Sequence, residues 1–343
     1  MKNLLLLFSF LVFTFSVSSQ NRIDLSEKYA ASITAKEIGN HLFTYVSDEF
    51  EGRNTGEPGQ KMAVKYLKDF YIDHKIKSPM GGEDYYQEVP ASYMNKFSRR
   101  GELKDSENVV AFIKGTEKPD EIIVISAHLD HVGMNIDGEV FNGADDDGSG
   151  TIAVLEIAEA FKEAVNDGNG PKRSILFLHV TGEEKGLLGS RYYTENPIFP
   201  IANTITNLNI DMIGRVDERH KGNPNYVYLI GSDKLSTELH TLSEAVNKKY
   251  TNINLDYKYN DENDPNRFYY RSDHYNFAKH NVPIIFYFNG THADYHKPSD
   301  TPDKINYELL ENRARLVFHT AWEVANMETR IVADKAVTKE ESK

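Results

Sequence analysis

The chain contains no cysteine. Disulfide staples, thiolate metal sites, iron–sulfur clusters and lipid attachment through an N-terminal cysteine are therefore excluded. Any metal must be held by His, Asp and Glu, a donor set that suits zinc, manganese, cobalt or calcium. Positive charge is also scarce: 39 Lys and Arg stand against 52 Asp and Glu, a net charge of −13. A nucleic-acid partner, which requires a basic face, is not expected. Beyond the first twenty residues no apolar run approaches the ~20 residues that span a bilayer.

What is present supports a folded, exported chain. With 343 residues and 40% hydrophobic content, a substantial core is available. The opening "MKNLLLLFSFLVFTFSVSSQ" places Lys2 before a short apolar run and then small residues, the pattern of a secretory signal. We expect a signal peptide over residues 1–19, cleavage near Ser19, and a secreted or periplasmic product without stable membrane insertion. The competing reading of the same stretch is an N-terminal membrane anchor.

Residues 20 to 35 are polar and expected to form an arm. "KEIGNHLFTYVSDEF" and "GQKMAVKYLKDFYIDHKI" carry apolar residues at helical spacing. From "ENVVAFIKG" onward, strand-like and helical segments alternate. "EIIVISA" (121–127), "RSILFLHV" (173–180), "ITNLNI" (205–210), "NYVYLIG" (225–231) and "VPIIFYF" (282–288) read as strands. "GTIAVLEIAEAFKEAV" reads as a helix with Val154, Ala158, Phe161 and Val165 on one face. "LGSRYYTEN", "LSTELHTLSEAVNKKY" and "YELLENRARLVFHTAWEVANM" supply further helices. The expected fold is α/β: a central mixed, largely parallel sheet sandwiched between helices. No linker or repeat divides the chain, so one catalytic domain over residues 22–332 is expected, followed by a frayed tail over 333–343.

Sites in such sheets form beyond the carboxyl ends of the strands. After "IIVISA" come His128 and Asp130; after "ILFLHVTG" come Glu183 and Glu184; after "ITNLNI" comes Asp211; and His296 follows "PIIFYF" at a distance. The loop "NGADDDGSG" adds three adjacent aspartates, Asp145, Asp146 and Asp147. Two divalent ions ~3.5–4 Å apart clamp a water and polarise a carbonyl together. Holding them that close requires an anion between them, and one carboxylate of the triplet suits that place. Asp130, two residues beyond His128, is positioned to accept the other ring N–H of that His. Of the two glutamates, one can ligate while its neighbour takes a proton.

"AHLDHVG", "NGADDDGSG", "TGEEKGLLGS", "NIDMIG" and "DYHKPSDTPDKI", in this order, resemble the M28 family of zinc aminopeptidases, over about residues 105 to 305. The resemblance implies a zinc-dependent hydrolase with two zinc ions. It would remove N-terminal residues from peptide substrates through a water clamped between the ions. It implies His128 and Asp211 on the first metal, Asp146 as the bridge, and Glu184 and His296 on the second. It further implies Glu183 as general base, Asp130 as the partner of His128, and Tyr269 as donor to the developing oxyanion, with Tyr270 beside it as a competitor for that role.

Several rival readings attach to the same letters. "DDDGSGTIAVLE" also fits a calcium EF-hand loop ending at Glu156, but "HVGMNIDGEVFNG" before it does not read as a helix. Glutaminyl cyclase resembles the family closely but uses one zinc, stacks its substrate on tryptophan and carries an insertion after the paired Glu; this chain has only Trp322, and "EEKGLLGSRYY" shows no insertion. A carboxypeptidase or dipeptidase would need basic residues for a free carboxylate, with Arg215 and Arg267 as candidates. A binding module that kept the fold should have lost ligands, and here each expected position is filled. His131, His179 and His292 read as structural, though His131 lies close enough to touch the site, and Asp300 and Asp303 read as turn residues beside Pro302.

Overall fold

The computed structural model describes residues 24–98 and 101–336. The proposed signal peptide lies outside the described residues. Among the described residues there are ten strands: β1 (Tyr86–Val89), β2 (Ser106–Ile113), β3 (Lys118–His128), β4 (Gly133–Met134), β5 (Val140–Phe141), β6 (Arg173–Val180), β7 (Thr204–Ile210), β8 (Tyr226–Ile230), β9 (Asn254–Asp256) and β10 (Ile284–Phe288). Eight form one sheet in the order β1-β2-β6-β3-β7-β10-β8-β9, and β4 pairs with β5 in a separate hairpin. The centre, β6-β3-β7-β10, is parallel, while β2 and β8 join it antiparallel on either side. The sheet is thus mixed and largely parallel, as expected.

The helices are α1 (Leu25–Ala30), α2 (Ala35–Tyr45), α3 (Pro58–Asp73), α4 (Ala91–Met94), α5 (Gly150–Asn166), α6 (Leu188–Glu195), α7 (Thr237–Tyr250), α8 (His274–Ala278) and α9 (Tyr307–Asn326). Strand β3 explains why both faces of the sheet are covered. Ile123, Ile125 and Ala127 point into one apolar layer with residues of α2, α3, α5 and α9. Ile122 and Val124 point into the other, with Tyr193 of α6 and Phe277 of α8. A strand buried on both sides needs apolar residues at consecutive positions, which is why "IIVISA" reads as a continuous run. No helix among the described residues is long and apolar enough to cross a membrane.

Three expectations change. Residues 25–30 form α1, not an arm: Asp24 caps its first turn, and the Ser26 hydroxyl bonds buried His319 of α9 at 2.7 Å. Val165 does not join the buried face of α5; it is 37% exposed, while Val154, Ala158 and Phe161 are buried. The chain stays ordered past 332, since the Thr237 N–H donates to the Asp334 carboxylate and the Lys335 N–H to the Leu235 carbonyl. The rest of the predicted tail, 337–343, lies outside the described residues.

Candidate metal centre

The triplet Asp145–Asp147 sits between the β4–β5 hairpin and α5, and its three carboxylates have different surroundings. Asp147 accepts from the backbone N–H groups of Gly150 and Met212 at 3.0 Å and of His128 at 3.2 Å. Asp145 accepts from Gly214 N–H at 2.7 Å, the Ser149 hydroxyl at 3.0 Å and the Asn289 amide at 3.0 Å. These two aspartates fasten α5 and the β7 loop together. Only Asp146 is left facing inward. Its Oδ1 is 3.2 Å from His128 Nε2, and its Oδ2 is 2.9 Å from His296 Nε2. The backbone N–H groups of Asp145 and Asp146 donate to buried Asp300, so that residue organises the loop; it is not simply a turn residue.

His128 ends β3 and is 1% exposed. Its Nδ1–H donates to the Asp130 backbone carbonyl at 3.0 Å. A carbonyl can only accept, which leaves Nε2 as the free lone pair, 3.7 Å from Asp211 Oδ1. The Asp130 carboxylate was expected to hold this ring; it stands 3.8 Å away. The reason is that it is committed elsewhere, accepting from the Thr55 hydroxyl at 2.7 Å and from Glu183 N–H at 3.1 Å. Asp130 therefore ties the His128 strand end to the backbone of the paired glutamates.

Those glutamates diverge. Glu184 Oε1 lies 3.1 Å from His296 Nε2 and 3.0 Å from His131 Nδ1. Glu183 turns to the cavity wall. The structure thus brings His128, Asp146, Glu184, Asp211 and His296 to one place, with Glu183 beside them. It also brings His131, read from the sequence as structural though close enough to touch the site. His131 is fully buried, its Nδ1 is 3.8 Å from Asp146 Oδ2, and its ring meets that of His296 edge-on. Its place three residues beyond His128, still at the end of β3, was the available signal. His179 and His292 do lie away from the centre, the former bonded to the Tyr71 hydroxyl at 2.7 Å and the latter 3.2 Å from Asp145.

Tyr269 is not brought in. It lines a separate recess with Lys234, Tyr259 and Arg267. Its ring is held there between Lys234, 5.1 Å from the centroid, and the rings of Tyr270 and Tyr275. Tyr270 lines the cavity that contains Glu183 and His296. Tyr295 comes closer to the chemistry: its ring stacks on His296 at 3.9 Å, and it lines both cavities that meet at Glu183. Its position immediately before His296 could have drawn notice.

Electrostatics match this geometry. Burial pushes His296 down, but Asp146 and Glu184 outweigh it and raise the ring to about 10. His128 is likewise raised well above its ordinary value against burial, by Asp146 and Asp211. Burial would raise Glu184, yet His131 and His296 hold it down at about 2. Burial keeps the Glu183 carboxyl well above the usual range, with His128 opposing. The centre is built to attract positive charge at the imidazole nitrogens.

The fit to a metal can be tested on unmet hydrogen-bonding groups. Buried polar atoms are almost always hydrogen-bonded. Here His128 Nε2, both ring nitrogens of His131, Asp146 Oδ2 and Glu184 Oε1 are buried without a hydrogen-bond partner. Two groups of ligand atoms, His128/Asp147/Asp211 and His131/Asp146/Glu184, are each compact enough for one ion. In the first, Asp147 is already occupied by N–H groups, which leaves Asp146 as the better third donor. Nitrogen and carboxylate donors without sulfur suit zinc. The calcium-loop reading fails here, because Glu156 lies within α5, 2% exposed, and a hairpin rather than a helix precedes the triplet.

An α/β sheet that gathers His and carboxylate side chains at its strand ends is a frame on which divalent ions could be held. A profile described as "Peptidase family M28" matches residues 108–321, and the chain belongs to that family. It is 31% identical over 198 residues to leupeptin-inactivating enzyme 1 of Streptomyces exfoliatus, covering 57% of this chain and 38% of that protein. It is 30% identical over 226 residues to a probable leucine aminopeptidase of Trichophyton verrucosum, covering 64% and 57%. The chain thus spans less than two thirds of the length of these curated relatives. Among solved structures, the LapA aminopeptidase of Legionella pneumophila superposes with a TM-score of 0.66 at 22% identity, covering 88% of this chain and 75% of that one. BSAP, a zinc aminopeptidase from Bacillus subtilis, gives 0.64 at 16%, covering 88% and 98%.

Proposed function

We propose that the chain is an exported zinc exopeptidase that removes N-terminal residues from peptides. The observation that carries this reading is the convergence of unpartnered, buried nitrogen and carboxylate atoms around Asp146. His128 and Asp211 would hold one ion, Glu184 and His296 the other, and Asp146 would lie between them, with His131 flanking Glu184. Bound zinc supplies Lewis acidity to the scissile carbonyl and lowers the pKa of water. Glu183 receives the proton of the attacking water on a carboxylate oxygen and delivers it to the leaving amine nitrogen as the C–N bond breaks. Tyr295, at the junction of the two cavities, takes the place expected of Tyr269 and donates its hydroxyl to the developing oxyanion. The N-terminal side chain is directed toward the small recess beside Asp146 and Asp211, where Met212, Phe268, Phe286 and Phe288 supply apolar wall next to Arg271, Thr291 and Tyr295.

Glutaminyl cyclase activity has no support from Trp322, which packs on Phe161 and Tyr29 in the core. The leucine aminopeptidase relative fits the apolar wall of that recess. Export rests on the signal-like opening of the sequence. The test is a panel of free and N-blocked aminoacyl amides, assayed before and after zinc chelation and zinc re-addition. Cleavage restricted to free-amine substrates, lost on chelation and restored by zinc, is the expected result. Equal cleavage of blocked substrates would overturn the exopeptidase reading.

A further inference from the structure

The proposed reaction centre lies where two cavities of unlike size meet. On one side is a small recess of about 30 Å3 beside Asp146 and Asp211, walled by Met212, Phe268, Phe286 and Phe288 and also by Arg271, Thr291 and Tyr295. On the other, Glu183, Glu184 and His296 open into a cavity of about 720 Å3 whose wall carries Lys96, Lys185, Arg191 and Arg271. Glu183 and Glu184 are the only carboxylates among its described lining residues, and Glu184 is already engaged by His131 and His296. A concentration of cations here runs against the chain's net charge of −13.

These cations are not consumed by the structure. Among the described residues, no carboxylate forms an ion pair with Lys96, Lys185 or Arg271. Arg271 lies over the Phe268 ring at 4.9 Å and reaches the Tyr295 hydroxyl at 3.5 Å. Arg191 is the exception: Glu195 takes its Nε–H at 2.9 Å, and its guanidinium stacks on Phe97 at 3.5 Å, which makes it a fixed wall. Nor are they needed to offset the acidic centre, because His128, His131 and His296 face those carboxylates directly. Arg215 and Arg267 do not contribute. Arg215 is paired with Asp294 at 2.7 Å, and Arg267 lines the recess of Tyr269.

The two cavities divide the substrate at the scissile bond. With the N-terminal side chain directed to the small recess, the leaving part lies in the large cavity, where Lys96 and Lys185 line the wall and Arg271 stands at the junction of the two. We propose that the enzyme is selective for substrates whose leaving part carries a carboxylate, held by Lys96, Lys185 and Arg271. That carboxylate is either the free C-terminus of a di- or tripeptide or an acidic side chain just after the scissile bond. The inference rests on the exopeptidase reading above and narrows it to short or acidic peptides. Hydrogen bonds to charged partners are among the stronger ones, so the preference should be roughly tenfold or more.

The test uses the zinc-loaded full chain and two substrate pairs. Leu-Gly against Leu-Gly amide isolates the terminal carboxylate, and Leu-Glu amide against Leu-Gln amide isolates an acidic side chain. The expected result is a kcat/KM about tenfold or more higher for the charged member of at least one pair, carried mainly by KM and weakened by salt. The pair that shows it identifies the source of the carboxylate. Lys185→Met and Lys96→Met should each reduce that ratio. Equal or poorer cleavage of both charged members overturns the proposal, as does a preference that survives undiminished in both variants. Failure to cleave any of the four substrates would instead strike at the exopeptidase reading itself.

Discussion

Glu183 and Glu184 are neighbours in sequence and opposites in duty. Glu184 lies against His131 and His296, whereas Glu183 faces the cavities and is held through its backbone N–H by Asp130. Glu183→Gln should keep the metals and lower kcat by ~10²–10⁴-fold, as expected for removal of a general base. Elemental analysis alongside turnover checks this, and near-full activity in a metal-loaded Gln variant would remove Glu183 from the chemistry. At this scale the sequence was legible where a residue's place follows from its strand end: His128, Asp211 and the glutamate pair all lie where the apolar runs stop, and the fold brings them together. It was illegible where duty depends on which backbone N–H groups a carboxylate meets. Three adjacent aspartates look alike as letters, and only the surrounding N–H groups separate Asp146 from its neighbours. Spacing likewise does not tell which way a ring turns: Tyr269 lies in a separate recess, while Tyr295 stacks on His296.

Among the elements, α5 carries an unusual group. Glu156 is 2% exposed, its Oε1 lacks a hydrogen-bond partner, and burial, with Glu159 and Glu37 nearby, raises its carboxyl to about 9. The folded value lies above the unfolded one, so the folded chain holds this proton more tightly. Stability from this group is fully present below about pH 4.5 and is lost as pH rises toward 9. Glu156→Gln should therefore be stabilising at neutral pH, by up to about 3 kcal/mol at ~1.36 kcal/mol per pH unit, and nearly neutral at pH 4. Thermal unfolding of both proteins from pH 4 to 8 decides it, and a gap that does not widen with pH contradicts it. The central strands were readable because burial on both faces leaves long apolar runs. The edge strands β1 and β9 and the β4–β5 hairpin were not, because two to four residues at a sheet margin carry little pattern. Helix α1 was missed because its single turn and a half is stabilised by contacts with distant helices rather than by its own periodicity.

For the whole molecule, the centre is also a fastening. Its groups come from the ends of β3, β6 and β7, the triplet before α5 and the loop after β10. Ions bound there cross-link segments distant in sequence, and binding to the folded state alone stabilises it by mass action. At an ion concentration ~1,000 times Kd this is ~4 kcal/mol, so chelation should lower Tm by roughly 10 °C, with recovery on zinc addition. An unchanged Tm would indicate that the centre contributes nothing to holding these segments together. Fold class was legible at this scale because alternating strands and helices admit few arrangements. The division of the substrate space was not, because Lys96, Lys185 and Arg271 lie far apart in sequence and share one wall only after folding.

The central claim is that Asp146 lies between two ions, and zinc stoichiometry tests it most directly. Elemental analysis of the purified chain and of Asp146→Ala, each dialysed against the same buffered zinc, should give two ions per chain in the former and loss of both in the latter. Retention of two ions by the Ala variant, in a protein shown to be folded, would contradict it.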